Sequence, residues 1–291
     1  METKVTFKSD ELTLSGVLHV PDDLAPDEKH AAFIVMHGFG GYKDGPEHQA
    51  QARILCEWGY VALRFDFRGC GESEGERGRL IVEEEVRDAI AAFEFLEAHE
   101  AVDPKRIGLY GDSLGATVAF QAGTDERVAA VIGSGGFGDG ARTFRSMHST
   151  PEAFRTFLNR LQEGKRLNRE TGETMQISRF DIVPIPTELR SHLGPGALME
   201  FSYETAQSMY DSRTEDYVAE FAPRPLLLIH PASDQVVPAS ESYEVFKRAG
   251  QPTELYITAG EDHFPLSGKN PQSPLIIKMW LDRFFPVKEN L

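Results

Sequence analysis

Short, nearly unbroken apolar runs alternate with longer amphipathic stretches along this chain, and that alternation limits the fold more than any single residue does. The runs lie at 31–37, 60–66, 106–110 and 128–134, and again at 225–230 and 254–258. Stretches with helical spacing separate them, at 46–58, 82–99, 114–123, 238–249 and 272–285. A strand with one wet face alternates polar and apolar residues, whereas one covered on both faces need not. Runs such as Leu226-Leu227-Leu228-Ile229 therefore imply a mostly parallel sheet with helices on both sides. Val86, Ile90, Phe93 and Leu96 recur at helical spacing and mark the inward face of one such helix. Two further strands are predicted at 3–8 and 12–20, the second from the alternation of Leu12, Leu14, Gly16, Leu18 and Val20.

The alternation stops at Gly135 and resumes only near 221. The sequence thus predicts a core in two parts, 1–135 and 221–291, with 136–220 inserted as a lid that contains a helical stretch at 151–167. Without the insertion roughly 205 residues remain, enough for one sheet domain. The insertion is rich in aromatic and sulfur side chains, among them Phe137, Phe144, Met147, Phe157, Phe201 and Met209. Most are expected to form its own small core, with two or three lining an apolar pocket. Its first half is basic, from Arg142 to Arg169, which fits a solvated helix face or, alternatively, a site for a substrate carboxylate.

Acidic residues outnumber basic ones 46 to 30, for a formal net charge of −16. Partners that demand a basic face, nucleic acid and anionic membrane, are excluded on that ground. No signal-peptide pattern or membrane-length apolar run is present. Two cysteines, Cys56 and Cys70, make no disulfide framework, so a reducing, cytoplasmic setting is expected. Cys56 reads as packing, while Cys70 in a glycine-rich loop leaves a reactive role open.

The chemistry-bearing residues sit where strands end. Gly111-Asp112-Ser113-Leu114-Gly115 follows the 106–110 run and precedes a helical stretch, which is the G-x-S-x-G pattern of a serine on a tight strand-to-helix turn. A serine hydroxyl is a weak nucleophile and needs a base, and the base needs a group to orient it. His263, after the last strand, supplies the first, and Asp234, after the 225–230 run, the second. His230 is the rival base but ends a buried strand, where packing suits it better, and Asp262 is a weaker candidate acid because it adjoins His263 in a loop. Two backbone N–H groups are expected to meet the oxyanion. One belongs to Leu114, after the serine. The other belongs to Phe39, in the glycine-rich His37-Gly38-Phe39-Gly40-Gly41 loop after the third strand.

Taken together, His37-Gly38-Phe39-Gly40, Asp66-Phe67-Arg68-Gly69, the Ser113 turn, and the Asp234 and His263 loops resemble the α/β-hydrolase superfamily. Within it the chain looks most like bacterial esterases of the feruloyl/cinnamoyl-esterase and dienelactone-hydrolase-like groups, although Asp112 and Ala116 stand where those esterases often carry histidine and glycine. The resemblance implies an α/β-hydrolase fold with an eight-stranded, mostly parallel sheet. It also implies a serine esterase acting through an acyl-enzyme on a small-molecule ester, with no metal or organic cofactor. Peptidase, thioesterase or acyltransferase chemistry on the same residues remains an alternative, as does a non-catalytic binding protein on the same scaffold. Self-association is left open.

Overall fold

The computed structural model of the protein describes residues 1–22, 24–25, 28–264 and 272–288. The chain opens with β1 (Glu2–Ser9), β2 (Leu12–His19) and β3 (His30–Met36), followed by α1 (Pro46–Glu57) and β4 (Val61–Phe65). Next come α2 (Val82–Glu97), β5 (Val102–Asp112), α3 (Leu114–Ala122) and β6 (Ala130–Ser134). The chain then leaves the main sheet through α4 (Gly140–Met147), α5 (Pro151–Thr171), β7 (Gln176–Ser178), α6 (Arg179–Ile182), β8 (Glu200–Ser202) and α7 (Tyr203–Asp211). It returns with β9 (Leu226–Pro231), α8 (Ser240–Arg248), β10 (Thr253–Thr258) and α9 (Ser273–Phe284).

Eight strands form one sheet in the order β1-β2-β4-β3-β5-β6-β9-β10. The β1–β2 and β2–β4 pairings are antiparallel, and every pairing from β4 onward is parallel. The two-sided burial expected of the apolar runs is seen in β3, where all seven residues are buried. Ala32, Ile34 and Met36 face the core shared with α2 and α3, while Ala31, Phe33 and Val35 face the core under α1 and α9. Both faces of this strand are dry, so it has no position at which a polar residue is free of cost.

The predicted boundaries shift in one instructive place. β5 starts at Val102 rather than 106, because His30 pairs with Val102 before a register shift brings Ala32 opposite Ile107. The segment between β6 and β9 is also more ordered than its sequence suggests. α4 and α5 pack through the Phe144 and Phe157 rings, 4.8 Å apart, and β7 and β8 form a two-stranded ribbon. The basic stretch of this segment is a set of local ion pairs: Arg155 with Glu152, Arg160 with Asp181, and Arg166 with Glu170. Arg142 is held between Glu215 and Glu241, each oxygen pair at 2.7 Å.

Candidate active site

Every strand-end residue singled out in the sequence converges at the carboxyl edge of the sheet, where open α/β sheets form their crevices. Ser113 turns the chain from β5 into α3 with φ 52° and ψ −119°, a left-handed conformation that a side chain adopts only under constraint. The constraint is visible on both sides. The Ser113 N–H donates to the Ser134 carbonyl at 2.8 Å, and its own carbonyl accepts from Ala116 at 3.0 Å. A Cβ at Gly111 would lie 2.1 Å from the Gly115 carbonyl oxygen, and one at Gly115 would lie 2.5 Å from that of Met36. Glycine is thus required at both positions for strand and helix to pass so closely.

His263 Nε2 lies 3.0 Å from Ser113 Oγ, and His263 Nδ1 lies 2.7 Å from Asp234 Oδ2. With a carboxylate at Nδ1 the ring keeps its proton there, and Nε2 is left to accept from the serine hydroxyl. Asp234 is itself anchored, its Oδ1 accepting from the N–H groups of Val236 at 2.8 Å and Val237 at 2.9 Å. His230 has the packing role expected of it, bonding Ser242 Oγ at 2.7 Å and the Val237 carbonyl at 2.9 Å. Its Nε2 also comes within 3.3 Å of Asp234 Oδ2. Burial alone would raise the Asp234 pKa, but the His263 charge and the hydrogen bonds from His230 and His263 hold it well below the usual carboxylate range. Burial pulls the His263 pKa down, yet the charge and hydrogen bond of Asp234, joined by Asp112 and Asp262, raise it above its ordinary value.

The loop after β3 runs beside the serine: a Cβ on Gly38 would stand 3.1 Å from the Ser113 Cβ. Buried His37 fixes its start, contacting the Gly38 carbonyl through Nδ1 at 2.9 Å and accepting from the Phe67 N–H at Nε2 at 3.2 Å. Among the described residues neither the Phe39 N–H nor the Leu114 N–H has a hydrogen-bond acceptor. The Asp66-Phe67-Arg68-Gly69 motif proves architectural. Asp66 accepts from the Lys43 ammonium at 3.0 Å and the Glu72 N–H at 2.9 Å, and Arg68 pairs with Asp88 at 2.6 Å. Cys70 is fully buried with its thiol pKa pushed well up by burial, which overturns the open reading of a reactive cysteine.

A cavity of about 80 Å³ begins at Ser113 and His263. Three of the aromatic and sulfur residues of the intervening segment line it, Phe137, Met147 and Met209, together with aliphatic Val183, Ile185 and Leu193. One wall is different. Glu47 and Asp112 both reach it, and among the described residues Glu47 Oε1 and Asp112 Oδ1 have no hydrogen-bond partner. Burial and the Asp112 charge push Glu47 up to about 9. Burial pushes Asp112 up to about 6 against a hydrogen bond from Gln51. The sequence marks Asp112, beside Ser113, but not Glu47 or Gln51, since Pro46-Glu47 reads as an ordinary helix start.

A family model for the serine aminopeptidases of group S33 matches residues 27–267. The chain belongs to this family of α/β hydrolases. This S33-family chain is 36% identical over 150 residues to an Escherichia coli protein described as an uncharacterized 31.7 kDa protein in the traX-finO intergenic region. That match covers 50% of this chain and 51% of the relative, so the chain spans about half the length of the curated relatives it matches first. A relative from Aspergillus aculeatus described as thiohydrolase aneE is 26% identical, with 88% of this chain and 84% of that one covered. Among solved structures, hypothetical protein PA2218 of Pseudomonas aeruginosa superposes with a TM-score of 0.82 at 24% identity, covering 98% of this chain and 94% of that one. Est1E of Butyrivibrio proteoclasticus, solved with ferulic acid bound, gives a TM-score of 0.67 at 19% identity, with 96% of each chain covered. At these identities the likeness to solved structures is one of fold.

Proposed function

We propose that this α/β hydrolase cleaves carboxylic esters of small to medium, mainly apolar acyl groups through an acyl-enzyme on Ser113. The observation that carries the reading is the hydrogen-bonded run from Ser113 through His263 to Asp234, at the foot of a pocket with largely apolar walls. Ser113 Oγ attacks the ester carbonyl as its proton passes to His263 Nε2, and Asp234 holds the imidazolium that forms. The N–H groups of Phe39 and Leu114 receive the oxyanion. Collapse expels the alcohol, which takes the proton from His263, and water repeats the sequence to free the acid. The segment 136–220 serves as the lid that supplies part of the apolar wall, and two free cysteines suit a reducing, cytoplasmic setting.

A thioester or acyl-transfer reading uses the same residues and draws support from the relative described as a thiohydrolase. Amide cleavage, the activity in the family's description, is the third. A fluorophosphonate probe should label the wild-type protein and fail on Ser113→Ala, and that variant should lose on the order of 10⁴–10⁶ in turnover. Retained ester hydrolysis in Ser113→Ala overturns the mechanism. Matched ester, thioester and amide substrates then rank the three readings by kcat/KM.

A further inference from the structure

Arg179 opens α6, in the segment between β6 and β9, yet its guanidinium is spent on the loop that follows β3. It is 4% exposed. Nη2 donates to the Phe39 carbonyl, and Nη1 donates to the carbonyls of Leu198 at 2.8 Å and Gly40 at 3.3 Å. The guanidinium carbon stands 5.0 Å from the centre of the Phe39 ring, which packs in turn on Phe201 at 4.1 Å. The Leu198 N–H adds a bond to the Gly40 carbonyl at 2.9 Å. The fit is close enough to dictate sequence. Gly40 has φ +53°, and a Cβ on it would lie 2.3 Å from the Phe201 ring and 2.9 Å from Arg179 Nη1.

The charge is as informative as the clamp. Of the other buried arginines, Arg64 pairs with Asp44 and Arg68 with Asp88 and Asp10, while Arg106 bonds carbonyls but does not line the Ser113 pocket. Arg179 bonds only carbonyls, its Nε has no partner among the described residues, and it reaches the wall of the Ser113 pocket. Burial lowers its pKa, to about 10, so it stays a cation at neutral pH. A buried cation without a counter-ion is costly, and an apolar residue of the same volume would avoid that cost. Preorganised positive charge is worth retaining where negative charge develops during a reaction.

We propose that Arg179 is the positioning residue of the oxyanion site: it clamps the Phe39–Gly40 peptide from the intervening segment so that the Phe39 N–H faces Ser113, and it lends that site an uncompensated positive charge. The proposal rests on the reading of Ser113 as nucleophile. It makes the intervening segment part of the catalytic geometry as well as a wall of the pocket.

An arylboronic acid, which forms a tetrahedral adduct on a nucleophilic serine, tests both ideas separately. Binding to the wild-type protein and none to Ser113→Ala supports the nucleophile, while no binding to the wild type overturns that reading and the proposal with it. Among proteins that bind, Arg179→Met should lose on the order of 10² in kcat with KM within about threefold, and boronate affinity should fall by the same factor as kcat. Arg179→Lys keeps the charge and loses the fork, so it should fall between the two. Wild-type kcat in a folded Arg179→Met protein overturns the proposal, as does a loss of kcat without loss of boronate affinity. If Arg179→Met does not fold, Arg179→Lys decides: wild-type kcat and boronate affinity in that variant overturn the clamp.

Discussion

Asp112 adjoins Ser113 in sequence, and the charge of its side chain reaches His263. Its charge contributes to the raised pKa of His263, and the His263 charge in turn favours the ionised form of Asp112. The sign of the consequence follows directly. His263 acts as a base only when its Nε2 is free, so kcat/KM should fall as pH drops through a pKa above the ordinary 6.5. Asp112→Asn removes an anion that helps hold the proton on the ring, so the acid limb of the profile should move to lower pH. Turnover at the plateau should change little, because Asn keeps the amide acceptor that Gln51 contacts. A pH–kcat/KM profile of both proteins on a neutral ester measures this, and an acid limb that stays in place or moves up refutes the coupling. The identity of this residue was plain in the sequence, but its direction was not. A side chain on a turn with positive φ at the next residue can point to either face, and only the fold decides which.

At the level of elements, the strand–turn–helix unit around Ser113 depends on its glycines more than on any apolar contact. The Gly111 Cα approaches the backbone of Gly115, so Gly111→Ala sets atom against atom with no flexible side chain able to yield. We expect a loss of stability on the order of 2–4 kcal/mol together with loss of activity, read by denaturant unfolding and ester turnover. Gly172→Ala, at the αL cap of α5 with nothing within 4 Å, is the contrast and should cost only about 1 kcal/mol with activity kept. Equal effects in the two variants would show that backbone conformation, not close approach, governs the turn. Such elements were legible in the sequence because burial on both faces leaves a continuous apolar run, as in β3 and β9. Where a strand begins outside that burial the signal fades: Asp103, Pro104 and Lys105 hide the start of β5. Between β6 and β9 the elements are short and packed on one another, so α4, α6 and α7 left too few turns for a period to be read. Arg179 is not marked in the sequence, since its partners are backbone carbonyls, two of them about 140 residues away in the chain, and no side-chain pattern marks them.

On the scale of the whole molecule, the charge of −16 sets which esters reach the pocket most easily. Four basic residues of the α4–α5 region, Arg142, Arg155, Arg160 and Arg166, are each engaged by carboxylates and so offset it little. Inside the pocket, buried Glu47 is a neutral acid at pH 7, and the carboxylate of Asp112 is opposed by the guanidinium of Arg179. The long-range field therefore acts against an anionic substrate and not against a neutral one, while the charges of the pocket wall offset each other. Salt screens the long-range part within a Debye length of about 10 Å at 0.1 M, and it leaves the buried part largely intact. For a carboxylate-bearing ester compared with its neutral methyl-capped analogue, the ratio of kcat/KM values should therefore be below one at low ionic strength. It should rise by roughly two- to tenfold between 10 mM and 300 mM salt, toward equality. A ratio insensitive to salt would mean that the surface charge does not reach the mouth of the pocket, and a ratio above one would assign the pocket to anionic substrates.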